Sequence, residues 1–237
     1  MSLSEEQKIR YSRAIMLDAV GEDGQTKIAA GRVALIGCGA LGSTAALYLA
    51  ASGVGKLTLC DFDNVDLSNL QRQIAFSEAS IGKNKAQALA ETLGGLNSTI
   101  ELSVVQKLIR RTDLDEIVAQ HDVVLECSDN PSTKLLVTDT CAQRGVACVA
   151  GGVSNFDGQV LTITSGSITY RDLFGDAPAC NGFTPCSTGG VFGPTPGIVA
   201  TIQAAEALKI LASVGSPLAN RLLTVNALTM TFREIKI

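Results

Sequence analysis

The chain predicts an α/β fold: a Rossmann-like, mostly parallel sheet with helices on both faces, extended by antiparallel C-terminal strands. Three observations carry this expectation. Apolar strand-like runs alternate with helical stretches as far as residue 150, which is the pattern of parallel strands joined by right-handed crossovers. The run Val33-Ala34-Leu35-Ile36 enters Gly37-Cys38-Gly39-Ala40-Leu41-Gly42, a G-x-G-x-x-G turn between strand and helix. The next strand ends in Asp61, a carboxylate at the carboxyl end of a strand, where open α/β sheets receive ligands.

The elements follow in order. Ser4-Glu5-Glu6-Gln7 has the form of a capping box and predicts a helix running through Ile9, Tyr11, Arg13 and Ile15, within an N-terminal helical segment of residues 1–30. A nucleotide-binding part, residues 31–150, starts with the strand Val33 to Ile36 and the Ala- and Leu-rich helix Ala40 to Ala51. Leu57 to Cys60 is the second strand; a helix over Lys83 to Leu93, a strand over Glu101 to Val105, a helix over Leu114 to Ala119 and a strand over Val123 to Cys127 come next. The helix Thr133 to Arg144 leads into the strand Val146 to Ala150. In residues 151–237, Gln159 to Thr164 alternates as an antiparallel strand. Ser165 to Pro196 holds four of the six prolines and no sustained period, and a loop of that length points to function or mobility. A helix over Gly197 to Leu211 and strands over Arg221 to Val225 and Met230 to Ile237 close the chain, so all 237 residues are expected to form a single domain.

Composition narrows the classes. With 46% hydrophobic and 18% charged residues, the chain is that of a globular protein with a substantial core. A net charge of -4, with lysines and arginines spaced singly, argues against a nucleic-acid partner. No stretch is long and apolar enough for a membrane, and the polar, acidic N-terminus differs from a signal peptide, so the cytoplasm is expected. Seven cysteines without a secretory signal read as free thiols, with Cys38, Cys60, Cys127 and Cys148 as small buried hydrophobes. There is no Cys-x-x-Cys pair, and the single histidine, His121, stands at a helix end; a structural zinc site is not expected.

The chemistry concentrates around the glycine turn. Such a turn sets backbone N–H groups and a helix N-terminus against a phosphate, although the same sequence also serves tight helix–strand packing. Asp61 is placed to accept hydrogen bonds from ribose hydroxyls, or to act as a turn aspartate in Asp61-Phe62-Asp63-Asn64. Asn69, Arg72 and Gln73 fall within a turn or two of one another and are able to point at whatever the glycine turn holds. Together with Lys85, Arg72 offers enough positive charge for a triphosphate, against the alternative of a solvated helix face. Asp129, just past a strand end, suits a magnesium ion shared with substrate phosphates, or an N-cap for the helix after Pro131.

Taken together, these residues resemble the ThiF/MoeB/HesA family, prokaryotic relatives of ubiquitin-activating enzymes. The carriers are Arg10-Tyr11-Ser12-Arg13, the glycine turn, Asp61-Phe62-Asp63, Ser68 to Gln73, Gly82 to Ala86, Ser128-Asp129-Asn130 and Phe232 to Lys236, spread over nearly the whole chain. The resemblance implies a homodimer that binds ATP and Mg2+ and adenylates the C-terminal glycine of a small ubiquitin-like sulfur-carrier protein ending in Gly-Gly, for thiamine, molybdopterin or related sulfur-transfer biosynthesis. It implies that Gly37, Gly39, Ala40, Gly42, Asp61, Asp63 and Gln73 surround the nucleotide, and that Asn69, Arg72 and Lys85 contact its phosphates. Asp129 would hold Mg2+ and Arg13 would reach into the partner subunit's site. Near-absence of histidine fits, because a carboxylate nucleophile is already ionised at neutral pH.

One departure from the family and one further match stand out. Its members commonly bind zinc through two Cys-x-x-Cys pairs, but the first would fall near Tyr170-Arg171-Asp172-Leu173 and the second past Ile237, so zinc is not carried over. Cys186 aligns with a cysteine that some relatives join covalently to the carrier, and it is a catalytic candidate on that ground alone. Two competing readings are an NAD(P)-dependent oxidoreductase, which gives Arg13, Asn69 and Arg72 no role, and a non-catalytic relative acting as a binding module.

Overall fold

The computed structural model describes residues 2–175 and 189–237, and it opens as the capping box requires. Ser4 accepts from the Gln7 N–H while the Gln7 side chain accepts from the Ser4 N–H, and helix α1 (Glu5–Arg10) follows. The single helix expected through Ile15 is instead broken at Tyr11, after which α2 (Ser12–Ile15) starts again. The break has a tertiary cause. Tyr11 is buried, its hydroxyl accepts from Asn97 Nδ2 at 2.9 Å, and its ring lies over Gly53, where a Cβ would stand 2.3 Å away. Burying the ring and satisfying its hydroxyl outweigh one more turn of helix. Helix α3 (Gly21–Ala30) completes the N-terminal segment.

Strand β1 (Arg32–Ile36) leads through the glycine turn into helix α4 (Ala40–Ala51). Then come β2 (Lys56–Cys60), α5 (Lys85–Leu96), β3 (Glu101–Val105), α6 (Arg111–Ala119), β4 (Val123–Glu126) and α7 (Pro131–Arg144). Strand β5 (Ala147–Ser154) runs further than expected, past Gly151 and Gly152, and turns back into β6 (Asp157–Ile163). A short helix, α8 (Tyr170–Phe174), lies inside the predicted loop. Helix α9 (Pro194–Ala212) begins with prolines in its first turn, where the missing N–H costs nothing. Strands β7 (Arg221–Asn226) and β8 (Thr231–Lys236) finish the chain.

Among the described residues these strands make one eight-stranded sheet in the order β3-β2-β1-β4-β5-β6-β7-β8. It is parallel from β3 to β5 and antiparallel from β5 to β8, the mixed sheet the sequence predicts. Side chains of β1 alternate between two cores. Val33 and Leu35 pack with Leu41, Leu49, Leu89, Val199 and Ala204 from α4, α5 and α9. Ala34 and Ile36 pack on the other face with Leu114, Val118, Val137 and Cys141 from α6 and α7. Being buried on both faces is why these strands read as continuous apolar runs. The chain leaves β1 for β2 on one side and returns to β4 on the other, so the carboxyl ends of β1 and β4 diverge into a crevice. No helix among the described residues is long and apolar enough to cross a membrane.

Candidate active site

The crevice is a cavity of about 910 Å³. Its floor is the glycine turn. Gly37 adopts φ +95°, a conformation that side chains resist, and a Cβ there would meet the Cys127 carbonyl oxygen at 2.9 Å. Gly39 caps α4 without any side-chain hydrogen bond, leaving first-turn N–H groups of that helix open to an anion. Gly37, Gly39 and Ala40 line the cavity, whereas Gly42 stands behind the turn: a Cβ on it would lie 1.9 Å from the Gly37 carbonyl oxygen. The place of Gly42 is therefore in packing α4 against the turn.

Asp61 both supports that turn and faces the cavity. Its Oδ2 accepts from the Cys38 N–H at 2.7 Å and its Oδ1 from the Asp63 N–H at 2.9 Å. Each oxygen keeps a lone pair for a further donor, such as a ribose hydroxyl. Burial pushes the Asp61 carboxyl above its ordinary pKa, although both N–H donors and the nearby Lys85 ammonium oppose this. Asn84, the N-cap of α5, donates through Nδ2 to the carbonyls of Asp61 and Asp63. The next residue, Lys85, is buried and sets its Nζ 3.0 Å from Asp63 Oδ2.

Asn69, Arg72 and Gln73 also line the cavity, with Gln73 Nε2 next to the glycine turn, 3.7 Å from where a Cβ on Gly39 would lie. Asn69 Oδ1 caps a short 3-10 turn by accepting from the Asp66 N–H, and the Asn69 carbonyl takes the N–H groups of both Arg72 and Gln73. Arg72 donates one guanidinium N–H to the Ser68 carbonyl at 3.1 Å, which aims a partly exposed fork at the cavity. Gln73 is buried, and its Oε1 has no hydrogen-bond partner among the described residues. Asp129 is exposed on the β4–α7 turn and lines the same cavity. It does not cap α7; Asn130 does, accepting from the Thr133 N–H at 3.0 Å, with Pro131 at the first helical position.

One cavity thus gathers Gly37, Gly39, Ala40, Asp61, Asp63, Asn69, Arg72, Gln73, Lys85 and Asp129, residues from five separate stretches of the chain. Arg13 is exposed on α2 and does not line it. Cys180 and Cys186 lie outside the described residues. Cys38 in the turn, and Cys60 and Cys127, which line the cavity, are buried thiols whose pKa burial pushes up, to about 12 for Cys60, so none of the three is presented as a thiolate. Among the described residues no three His, Cys, Asp or Glu side chains gather as a metal site; Tyr170 to Leu173, where a family zinc pair would start, is part of α8, with Arg171 Nε 3.0 Å from Asp139. The exposed Asp129 carboxylate in this cavity has donor chemistry that suits Mg2+, which takes one or two protein carboxylates and completes its shell from phosphates and water.

The cavity also contains residues that the motifs do not reveal: Lys107 beyond β3, Lys134 on α7, Gln159 on β6, and Tyr170 and Phe174 on α8. One signal was available. Glu126 closes the apolar run Val123-Val124-Leu125, and a carboxylate in a strand buried on both faces needs a cation. That cation is Lys134, which pairs with Glu126; burial works against the ammonium, but Glu126 outweighs it and the lysine's pKa is raised.

Residues 11–237 match the model of the ThiF family. The chain belongs to the ThiF family. This ThiF-family chain is 40% identical over 235 residues to the SAMP-activating enzyme E1 of Haloferax volcanii, covering 99% of itself and 87% of that protein. It is 38% identical over 240 residues to the molybdopterin-synthase adenylyltransferase of Escherichia coli K12, covering 99% of itself and 94% of that protein. Against the adenylyltransferase and sulfurtransferase MOCS3 of Sus scrofa it is 40% identical, and it spans 52% of that longer protein. Among solved structures, E. coli MccB with ATP superposes with a TM-score of 0.82 at 25% identity, over 99% of this chain and 73% of that one.

Proposed function

We propose that this chain adenylates the C-terminal glycine of a small ubiquitin-like sulfur-carrier protein. The observation that carries the reading is the single cavity in which an anion-binding helix terminus, a carboxylate placed for ribose, and Asn69, Arg72 and Lys85 converge. The relatives support it by name, as a SAMP-activating enzyme, a molybdopterin-synthase adenylyltransferase and an adenylyltransferase and sulfurtransferase. In the reaction a carboxylate oxygen of the carrier's terminal glycine attacks the α-phosphorus of ATP. The bond from that phosphorus to the bridging oxygen breaks, and pyrophosphate leaves with the electron pair. No proton has to be removed from an ionised carboxylate, so the protein's contribution is in-line placement and stabilisation of phosphate charge. Asp61 orients the ribose, the α4 terminus and Arg72 hold phosphate oxygens, and Lys85 exchanges its contact with Asp63 for phosphate. Asp129 would hold Mg2+, which would supply neutralisation of phosphate charge when bound.

A homodimer belongs to this proposal. Arg13 is exposed on the same arm as Ile9, Met16 and Leu17, which are 77%, 70% and 58% exposed, an apolar surface suited to a second copy that would receive Arg13 at its own cavity. The test is ATP–pyrophosphate exchange with candidate carriers ending in Gly-Gly. Carrier-dependent exchange is the expected result, and its absence with every carrier would overturn the reading. Mixing inactive Arg13→Ala and Arg72→Ala proteins should restore exchange if the sites are shared between subunits, because one of the two sites in the mixed dimer is then intact.

A further inference from the structure

Among the described residues, the buried Glu126–Lys134 ion pair is tied to Ser128 and lies by Tyr170, both in the cavity wall. Glu126, fully buried, accepts from the Ser128 N–H at 3.0 Å and from the Ser128 hydroxyl, so it grips the turn that carries Asp129. Lys134 donates to Glu126 and to the Gly151 carbonyl at 2.6 Å, and its Nζ lies 5.9 Å from the centre of the Tyr170 ring. From behind, Gln203 Nε2 donates to the carbonyls of Glu126 and Val149, both at 3.0 Å. Ser128, Lys134, Gly152 and Tyr170 all line the cavity that Asp129 and Arg72 face. Glu206 is a buried carboxylate tied elsewhere: it accepts from the Thr162 hydroxyl and the Leu218 N–H, pairs with Lys209, and lines no part of the cavity.

For stability alone, a packed apolar pair of similar volume would serve as well as buried charges, since both ions lose their hydration. What the charges add is direction. We infer that Glu126 and Lys134 are positioning residues that lock the Ser128–Asp129 turn to β5, fixing the Asp129 carboxylate against the phosphate-binding side of the cavity. The inference rests on the nucleotide reading above and adds to it a requirement for residues whose charges are spent on each other and on the protein. Removing the tie leaves the glycine turn and Asp61 intact, so the nucleotide still binds, but Asp129 is no longer held where a metal bridging to phosphate needs it.

The test compares wild type with Lys134→Met, Glu126→Gln and the double variant, by calorimetric titration of ATP at graded Mg2+ concentrations and by carrier-dependent exchange. Lys134→Met should bind ATP in EDTA within about twofold of wild type, while the Mg2+ concentration that promotes binding rises roughly tenfold, the effect of losing a group that orients a metal ligand. Exchange should fall in kcat more than in KM for ATP. The double variant removes the uncompensated charge and should recover the melting temperature that Lys134→Met loses, without recovering the Mg2+ requirement. Recovery of both together would overturn the inference, because the pair would then be structural only. Wild-type Mg2+ dependence in the folded single or double variant would overturn it too. Failure of the wild-type chain to bind ATP would instead remove the nucleotide reading, and this inference with it.

Discussion

Replacing Gly42 with alanine should unseat the nucleotide floor, and the structure sets the size of the effect. The new Cβ would lie 1.9 Å from the Gly37 carbonyl oxygen and 2.9 Å from its carbon, both backbone atoms that cannot swing aside. A comfortable carbon–oxygen contact is near 3.4 Å, so the turn and α4 must separate by roughly 1.5 Å. Overpacking of this kind costs about 1–3 kcal/mol, and a backbone clash belongs at the upper end. Alanine regains about 1 kcal/mol of helix propensity, leaving a net loss of about 2 kcal/mol. For a chain of this size that corresponds to a fall in melting temperature of about 4–8 °C. Gly94→Ala in α5 is the matched control: it is also helical, but nothing lies within 4 Å of its Cβ position, so it should gain about 0.5–1 kcal/mol. Thermal unfolding with and without ATP measures both. Gly42→Ala should also lose most of the stabilisation by ATP, since the α4 N–H groups move with the turn. A Gly42→Ala protein that melts at or above wild type and is still stabilised by ATP would refute the packing argument.

The remaining predictions concern charge and thiols. Arg72→Ala and Asp129→Ala should abolish exchange while melting within about 0.5 kcal/mol of wild type, because both side chains are partly or fully exposed and make few internal contacts; undiminished exchange in either variant removes that residue from the mechanism. Asp61 is held above its ordinary pKa by burial, so its ionisation opposes folding: ligand-free stability falls as pH rises from the unfolded to the folded value. Ribose hydroxyls donate more strongly to the ionised carboxylate than to the neutral acid, so ATP affinity should fall on acidification starting above the ordinary carboxylate range, and Asp61→Asn should flatten this slope; a slope unchanged in Asp61→Asn would assign it elsewhere. At pH 8 the buried Cys38, Cys60, Cys127, Cys141 and Cys148 should resist a thiol-specific reagent in the native protein, and reaction of more than two of the seven cysteines would contradict their packing.

Local chemistry made much of this architecture legible. Ala40 to Ala51 and Glu101 to Val105 are found at the bounds expected from pattern alone, because both are framed by unambiguous punctuation and bury residues in register. The failures are tertiary. Nothing near Tyr11 in sequence announces that Asn97 and Gly53 will claim its side chain. Gly151 and Gly152 look like the end of a strand, yet β5 runs through them to Ser154; at Gly151 a Cβ would lie 2.4 Å from Gln203 Oε1, so glycine there marks the close approach of α9. The same limit governs the site. Motif residues announce themselves by type and spacing, whereas Glu126 and Lys134 acquire meaning only when β4, α7 and β5 meet.

The fastening of Tyr11 has a further consequence. Segments near a chain end are ordinarily loose, and a surface built on one must be ordered each time it is used. Here the ring inserted over Gly53, the hydroxyl held by Asn97 and the bond from Arg10 to the Leu96 carbonyl tie the arm down at the break between α1 and α2. Arg13 is therefore presented from a braced support, and any surface that meets it does so without the entropy loss of taming a free terminus. Cutting that brace with Tyr11→Ala would leave the cavity's own residues in place while turning Arg13 from a fixed strut into a tethered one.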